Sequence, residues 1–402
     1  MIEICELSKC TGCSACLNIC GKNAVSMQAD DLGFKHPIID SSLCIDCGLC
    51  AKICPINNSP ISSYPLEAYA VQSAQLDDLM SSTSGGAASV FSQYVLQQGG
   101  VVYGCTGERA SHVRHIRVTS LADLHKLKGS KYVQSDMGFL FRQVKQDIET
   151  GMLVLFIGTP CQVAGLKKFL RKDYERLLTV DLVCHGVPSQ QLLDDDLQYL
   201  GKGSEDAQIL FRKKGIKEKD LKFGVYLSKD NKSLCASDYP QDYYIMGFMQ
   251  GLFFRESCYS CQWSSSLRCS DITIADFWGI GELQSSTIKR GCGVSAALLI
   301  TPKGQHFFEK CRHLLLVEKR SIEEAISGNG QLQFPSLRHP LYSHFRELYR
   351  KKGFVYSCRQ CLRDDYKRLR KERIKVMIMS IPYFKVCYLN IKKFVTRGNK
   401  LR

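Results

Sequence analysis

Apolar and polar positions follow two regimes along this chain. Past residue 66, short apolar runs alternate with amphipathic stretches punctuated by glycine. The segment 67–72 (EAYAVQ) predicts a strand. Ser84-Gly85-Gly86 then opens a helical run over 87–98, with Val90, Phe91, Tyr94 and Val95 on one face, and Gly99-Gly100 ends it before a strand starting at 101–103. The run 152–157 (MLVLFI), bounded by Gly151 and Gly158, is nearly all apolar and predicts a strand buried on both faces. A helix over 163–170 and a second buried strand over 177–183 (LLTVDLV) follow, with further strands at 272–274 and 296–300. Before residue 66 no such periodicity exists. A Pro/Ser-rich connector, Asn57-Asn58-Ser59-Pro60-Ile61-Ser62-Ser63-Tyr64-Pro65, separates the two regimes. From about residue 346 the composition is helical, broken at Pro382.

The fold class expected is therefore α+β: a small N-terminal module (1–58), a mixed α/β domain (66–345) and a helical tail (346–402). With 45% apolar and 23% charged residues, the chain has ordinary globular composition. Its 21 cysteines are not ordinary. The first nine residues show neither a basic n-region nor an apolar h-region, so the expectation is a cytoplasmic, reducing compartment in which dense cysteine means metal ligation or redox work. No stretch reaches the roughly 18 uninterrupted apolar residues that span a bilayer. The net charge of +15 is concentrated: residues 346–402 carry 18 Lys/Arg against 4 Asp/Glu, leaving 36 against 35 for the rest. A basic tail suggests a membrane surface, an acidic partner protein or nucleic acid, but for nucleic acid it carries neither aromatic stacking platforms nor a recognisable module. Residues 374–395 mix lysines with long apolar and aromatic side chains. They fit either a peripheral contact with an anionic inner membrane face or a basic amphipathic helix packed on the protein's own body.

Nine cysteines fall within 1–58. Cys10, Cys13, Cys16 and Cys20 are spaced C-x2-C-x2-C-x3-C, and Cys44, Cys47, Cys50 and Cys54 repeat the spacing, with Pro55 closing the second run and Gly21 standing at that place in the first. This is the bacterial two-cluster pattern, in which the fourth cysteine of each run ligates the other run's [4Fe–4S] cluster. The expected ligand sets are Cys10, Cys13, Cys16, Cys54 and Cys44, Cys47, Cys50, Cys20. Zinc favours separated C-x2-C pairs instead. Cys5 lies outside the spacing and reads as a free thiol.

Six further motifs follow in order: Ser82-Thr83-Ser84-Gly85-Gly86, Lys128-Gly129-Ser130-Lys131-Tyr132-Val133-Gln134-Ser135, Gly158-Thr159-Pro160-Cys161-Gln162-Val163, Cys184-His185-Gly186-Val187-Pro188-Ser189, Cys258-Tyr259-Ser260-Cys261 and Asp271-Ile272-Thr273-Ile274-Ala275-Asp276-Phe277-Trp278-Gly279. With them, residues 66 to about 310 resemble the β subunit of the coenzyme F420 hydrogenase/dehydrogenase family, which includes plant and cyanobacterial reductases of chlorophyll-type substrates. The resemblance implies an N-terminal-like domain over 66–145, a C-terminal-like domain over 146–345, an FAD-dependent reductase and a third [4Fe–4S] cluster close to the flavin.

The residues themselves say something similar at lower resolution. Ser84, Gly85 and Gly86 before a helix offer backbone amides to a phosphate, although a glycine-rich helix start is also an ordinary tight turn. Gly158 and Thr159 end a buried strand, where open α/β sheets bind ligands. Cys161 and Cys184 at adjacent strand ends, with Cys258 and Cys261, make the four thiolates a cubane takes; they also suit buried apolar positions. Cys269 is a spare candidate. His185 stands either as a proton donor to a reduced substrate or as a residue that orients the Cys184 loop. Lys131 serves either a flavin or the solvent, and Asp271 and Asp276 either the site or a loop cap. Cys358 and Cys361 are two thiols where a cubane needs four.

The function expected is an iron–sulfur flavoprotein oxidoreductase passing electrons from a ferredoxin-like donor through [4Fe–4S] clusters to FAD and on to an unidentified small-molecule acceptor. The competing expectation is an electron-transfer subunit serving a separate catalytic partner.

Overall fold

A computed structural model describes residues 3–201, 206–215, 221–230, 232–288 and 290–380. The N-terminal module is an antiparallel hairpin, β1 (Val25–Ala29) and β2 (Lys35–Ile39), flanked by two short helices, Ala15–Ile19 and Leu49–Lys52, one inside each cysteine run.

The centre is an eight-stranded mixed sheet of β3 (Glu67–Ser73), β4 (Val101–Thr106), β5 (Arg114–Val118), β6 (Val154–Gly158), β7 (Leu177–Leu182), β11 (Ile272–Asp276), β12 (Ser295–Leu299) and β13 (Leu315–Arg320). A separate antiparallel sheet holds β8 (Gln208–Lys213), β9 (Lys222–Lys229) and β10 (Lys232–Asp238). The order in the large sheet is β13-β3-β12-β11-β7-β6-β4-β5. Its middle, β4, β6, β7 and β11, is parallel.

Continuous apolar runs form this centre because both faces are covered, so side chains of either parity must leave water. Along β6, Val154 and Phe156 point into one layer with Phe141, Val144, Val163 and Phe169, whereas Leu155 and Ile157 point into the other with Val90, Phe91, Val95 and Phe308. Sequence periodicity located β3, β4, β6, β7, β11 and β12 to within a few residues. It did not anticipate β5, β13 or the small sheet, which are shorter in apolar content and lie at edges.

The expected break at residue 145 falls inside the helix Leu140–Glu149, and strands from either side of it pair, β4 with β6 among them. The expected break at 58 likewise separates segments that share a core: Cys13, Ala15 and Ile53 pack in one cluster with Phe141, Phe156 and Val163. Residues 1–342 are one compact unit, and a second unit begins at Ser343. That second unit carries Cys358 and Cys361, both buried, and the helix Arg363–Ser380. Most of the expected membrane-contact segment, residues 381–395, lies outside the described residues. Among the described residues no helix is long and apolar enough to cross a membrane.

Candidate redox site

The two cysteine runs turn in the same way. In the first, Gly12 (φ 66°) and Ser14 (φ 63°) are left-handed; in the second, the equivalent positions Asp46 (φ 59°) and Gly48 (φ 70°) are too. A left-handed residue between each pair of cysteines reverses the chain, which lets three thiols at C-x2-C-x2-C spacing face one centre. Cys10, Cys13, Cys16 and Cys54 line a single cavity, the grouping expected for the first set. Cys50 lies in the electrostatic field of Cys20 and Cys47, members of the second. Backbone amides point at two of these sulfurs, Ala24 N–H at Cys20 (3.3 Å) and Asp46 N–H at Cys44 (3.4 Å). Cys47 is solvent-exposed, whereas Cys10, Cys13, Cys16, Cys50 and Cys54 are buried.

Three of the side chains that fasten this module to the sheet domain lie near the first cysteine run. Arg142 donates to the carbonyls of Asn18 (2.8 Å) and Cys20 (2.9 Å), and Gln134 to that of Thr11 (2.9 Å). Arg255, only 1% exposed, donates through Nε to Cys10 O (2.6 Å) and through Nη2 to Lys35 O (2.8 Å), with Nη2 also 3.6 Å from Cys10 Sγ. None of these acceptors is a carboxylate. A buried guanidinium facing the Cys10 sulfur in this way suits an anionic group at that position.

Helix Pro160–Leu170 follows β6 directly and places Cys161 in its first turn; Cys184 follows β7; Cys258 and Cys261 sit on and just beyond the 3-10 turn Glu256–Ser260. These four, from three separate segments, line one cavity together with Thr11, Arg255 and Arg268. Arg268 lies 3.0 Å from Asp181, both almost fully buried, in charge contact without hydrogen-bond alignment. Burial pushes the Cys161 thiol up to about 11 and that of Cys184 up to about 12, so without iron both are neutral thiols and poor nucleophiles. Cys269 is not on this wall; it packs as an apolar residue among Phe141, Phe156 and Trp263. Among the described residues, no three Cys, His or carboxylate groups meet closely enough for a single metal ion. Four thiols brought to one cavity are the number and kind of donor that a [4Fe–4S] cubane takes, and both donor sets supply them.

Beyond this cavity, at the carboxyl ends of β4, β6, β7 and β11, opens a larger one of about 300 Å³. Ser84, Gly86, Lys131, Gly158, Thr159 and His185 all line it. Gly86 (φ 88°) caps the helix Ala87–Gln97, a left-handed position where glycine is favoured. Gly85 departs from the expected role. Its N–H donates to Ser295 Oγ (2.9 Å), and a Cβ there would lie 2.2 Å from Val71 O, so it permits close packing of the loop on β3 and β12 and has no free amide for a phosphate. Lys131 Nζ donates to the carbonyls of Leu127 (3.0 Å) and Lys128 (2.7 Å), and desolvation lowers its pKa to about 8. Desolvation also lowers the pKa of His185, partly offset by Asp276.

Sequence reasoning missed two groups here. Arg212 comes from β8 and pairs with Asp276 (2.7 Å) on the cavity wall, which gives Asp276 a place in the site. Asp271 instead ties strands together, accepting from Thr179 N (2.8 Å) and Thr301 Oγ1 (2.8 Å). His115 is the other omission. Its Nε2 lies 3.0 Å from Ile157 O, which can only accept, so Nε2 carries the proton and Nδ1 accepts from Ser135 Oγ (2.8 Å). Burial lowers its pKa to about 4, keeping it neutral. Gln162 continues the chain, donating to Ser135 Oγ and accepting from Thr159 N–H, each at 2.9 Å. An isolated His in an edge strand carries no motif that would have revealed this.

Two stretches of the chain are similar to known domains. Residues 151–325 match the family model for the C terminus of the coenzyme F420 hydrogenase/dehydrogenase β subunit, and residues 9–58 match a 4Fe-4S dicluster domain. A coenzyme F420-dependent sulfite reductase of Methanocaldococcus jannaschii is 23% identical over 188 residues, 46% of this chain and 29% of that protein. This chain thus spans under a third of that relative's length. A chain of the F420-reducing [NiFe] hydrogenase complex from Methanosarcina barkeri, in a xenon-derivatised structure, superposes with a TM-score of 0.46 at 17% identity, covering 76% of this chain and 93% of that one. The chain thus carries a stretch similar to a 4Fe-4S dicluster domain over residues 9–58 and a stretch similar to the C terminus of the coenzyme F420 hydrogenase/dehydrogenase β subunit over residues 151–325.

Proposed function

We propose that this chain is an iron–sulfur flavoprotein oxidoreductase that takes electrons from a ferredoxin-like donor, passes them through three [4Fe–4S] clusters to FAD, and reduces a small-molecule acceptor. The carrying observation is that three sites adjoin. The Cys161/Cys184/Cys258/Cys261 cavity shares Thr159, Gln162, Cys184, Gly186 and Val187 with the large cavity, and on its other side shares Thr11 with the Cys10 set. Clusters at the cysteine sets would supply single-electron transfer, and a flavin would pair those electrons for a two-electron reduction.

The chain's own residues would do the rest. Cys47, at the surface, marks the face where a donor protein would dock. Gly86 and the amides at the start of helix Ala87–Gln97 would receive a pyrophosphate, with the Lys131 ammonium as its cationic neighbour. His185, at the wall beside Asp276, would hold the proton delivered to the acceptor. The cavity volume is at the lower end of the roughly 300–1,000 Å³ typical of ligand sites.

Anaerobic reconstitution followed by iron, sulfide and flavin quantification tests this reading. The expected content is about twelve iron and twelve sulfide with one flavin, falling by about four iron in Cys258→Ala/Cys261→Ala. About eight iron in both proteins would remove the third cluster. Full iron without retained flavin would leave an electron-transfer subunit.

A further inference from the structure

A chain of hydrogen bonds with a fixed direction runs along the wall between the large cavity and the Cys161 set. Ser135, Thr159 and Gln162 line both cavities, and His115 lines the large one. His115, Ser135 and Gln162 are all buried. His115 Nε2–H donates to Ile157 O (3.0 Å), so Nδ1 accepts the one hydroxyl proton of Ser135 (2.8 Å). With that proton committed, Ser135 Oγ can only accept from Gln162. The amide nitrogen therefore faces Ser135 (2.9 Å) and the amide oxygen faces Thr159 N–H (2.9 Å). The reversed amide would set its NH2 against Thr159 N–H, donor against donor. Thr159 Oγ1 in turn lies 3.2 Å from Cys161 Sγ. A thiolate bound to iron carries no proton, so in that state the Thr159 hydroxyl donates and the sulfur accepts.

We propose that His115 is a positioning residue for the third cluster: through Ser135 and Gln162 it holds Thr159 so that the Thr159 hydroxyl donates to the Cys161 sulfur. Hydrogen bonds to ligand sulfurs raise a cluster's reduction potential, because a donor stabilises the more negative, reduced state. His115 is not on the wall of the Cys161 cavity and acts only through the chain. Its Nδ1 lone pair stops Ser135 from donating to the Gln162 oxygen instead. Stacking on Phe156, with 5.6 Å between ring centroids and 17° between planes, keeps that lone pair aimed at Ser135.

This role for His115 rests on the third cluster proposed above, and one experiment separates the two. Redox titration followed by electron paramagnetic resonance is carried out on the anaerobically reconstituted full chain. Thr159→Val should make the third cluster harder to reduce, by about tenfold in the reduction equilibrium, the order of one hydrogen bond to a charged group. Thr159→Ser, which keeps the hydroxyl, should hold the unmodified value. His115→Phe and Ser135→Ala should shift the third cluster in the same direction by less. The two clusters of the dicluster domain should keep their potentials in every variant, which reports that each has folded. Because His115 acts through Thr159, His115→Phe/Thr159→Val should match Thr159→Val alone, whereas independent effects would add. A third cluster whose potential is unmoved in both His115→Phe and Ser135→Ala, or additive shifts in the double variant, would overturn the proposal and leave the third cluster standing. About eight iron in the unmodified chain would overturn both.

Discussion

The two cysteine runs share one spacing and one pair of left-handed turns, yet their surroundings are opposite. The Cys10 set is walled by the sheet domain: Gly165 of helix Pro160–Leu170 lies against Cys13, and Arg255 reaches Cys10. The Cys44 set faces outward, with Cys47 exposed and Cys20 and Cys44 half-buried. Local sequence thus builds the ligand turn, and distant sequence decides its electrostatics. A cluster beside a buried cation holds an added electron more readily than one beside water and neutral backbone, because the attraction is less screened. The inner set should therefore have the higher reduction potential, and electrons arriving at the surface should move inward.

The largest expected effect breaks the contrast at its seam. An ideal Cβ on Gly165 would lie 2.9 Å from Cys13 Sγ and 3.0 Å from its Cβ. In an unconstrained helix, Gly→Ala stabilises by about 1 kcal/mol. Here Gly165→Ala should instead destabilise by about 1–3 kcal/mol through overpacking, and Gly165→Val by more. Iron should fall by about four as the inner set fails while the outer set stays loaded. Denaturation midpoints and iron analysis read both; a stabilised, fully loaded Gly165→Ala would show that the seam is not tight.

A smaller effect sharpens the electrostatic half. Arg255→Gln should lower the inner potential by roughly 1–3 kcal/mol, the worth of a hydrogen bond to a charged group and about one to two decades in the reduction equilibrium. The outer potential should not move. Arg255→Lys keeps the charge but loses the planar pair of bonds to Cys10 O and Lys35 O, so it should fall between. Redox titration followed by electron paramagnetic resonance distinguishes these, and equal shifts in both sets would remove Arg255 as the source of the difference.

How much of this was legible in the sequence follows the same division between local and distant. The two cysteine runs of the dicluster domain could be read directly, since a C-x2-C-x2-C-x3-C run states its geometry within a dozen residues. Cys161, Cys184, Cys258 and Cys261 could be brought together only through the family motifs, because nothing local links a helix start, a strand end and a 3-10 turn. Arg212 and His115 were invisible, since each reaches the large cavity from an edge element without a motif. Gly85 and Gly86 looked alike as a pair, and only their packing separates a close-approach glycine from a left-handed cap. The buried strands were legible because covering both faces of a sheet leaves a long apolar run; β5 and β13, edge strands with one open side, left none.

The smallest expected effect sets Arg255 beside a second desolvated cation, Lys131, and depends on pH. Both are placed toward a group that would be anionic, but arginine does not titrate in the working range and Lys131 does. Desolvation lowers the Lys131 pKa to about 8, well below the usual lysine value. For a base with a depressed folded pKa, the charged form is the costly one: the cost is fully present below about pH 8 and fades as the pH rises toward the unfolded value. A bound pyrophosphate would offset that cost by pairing with the ammonium, so its binding takes up a proton once Lys131 has begun to lose its own. Flavin affinity should accordingly be flat below about pH 8 and weaken above it, by at most about tenfold per pH unit for one linked proton. Lys131→Met should bind more weakly below that pH and lose the slope above it, while the inner cluster potential, set by Arg255, stays flat across the same range. Flavin fluorescence on release, followed from about pH 7 to about pH 9.5, measures the first, and redox titration the second. A slope that persists in Lys131→Met would move the phosphate contact to another residue. A slope shared by the cluster potential would mean that the two cations are not independent.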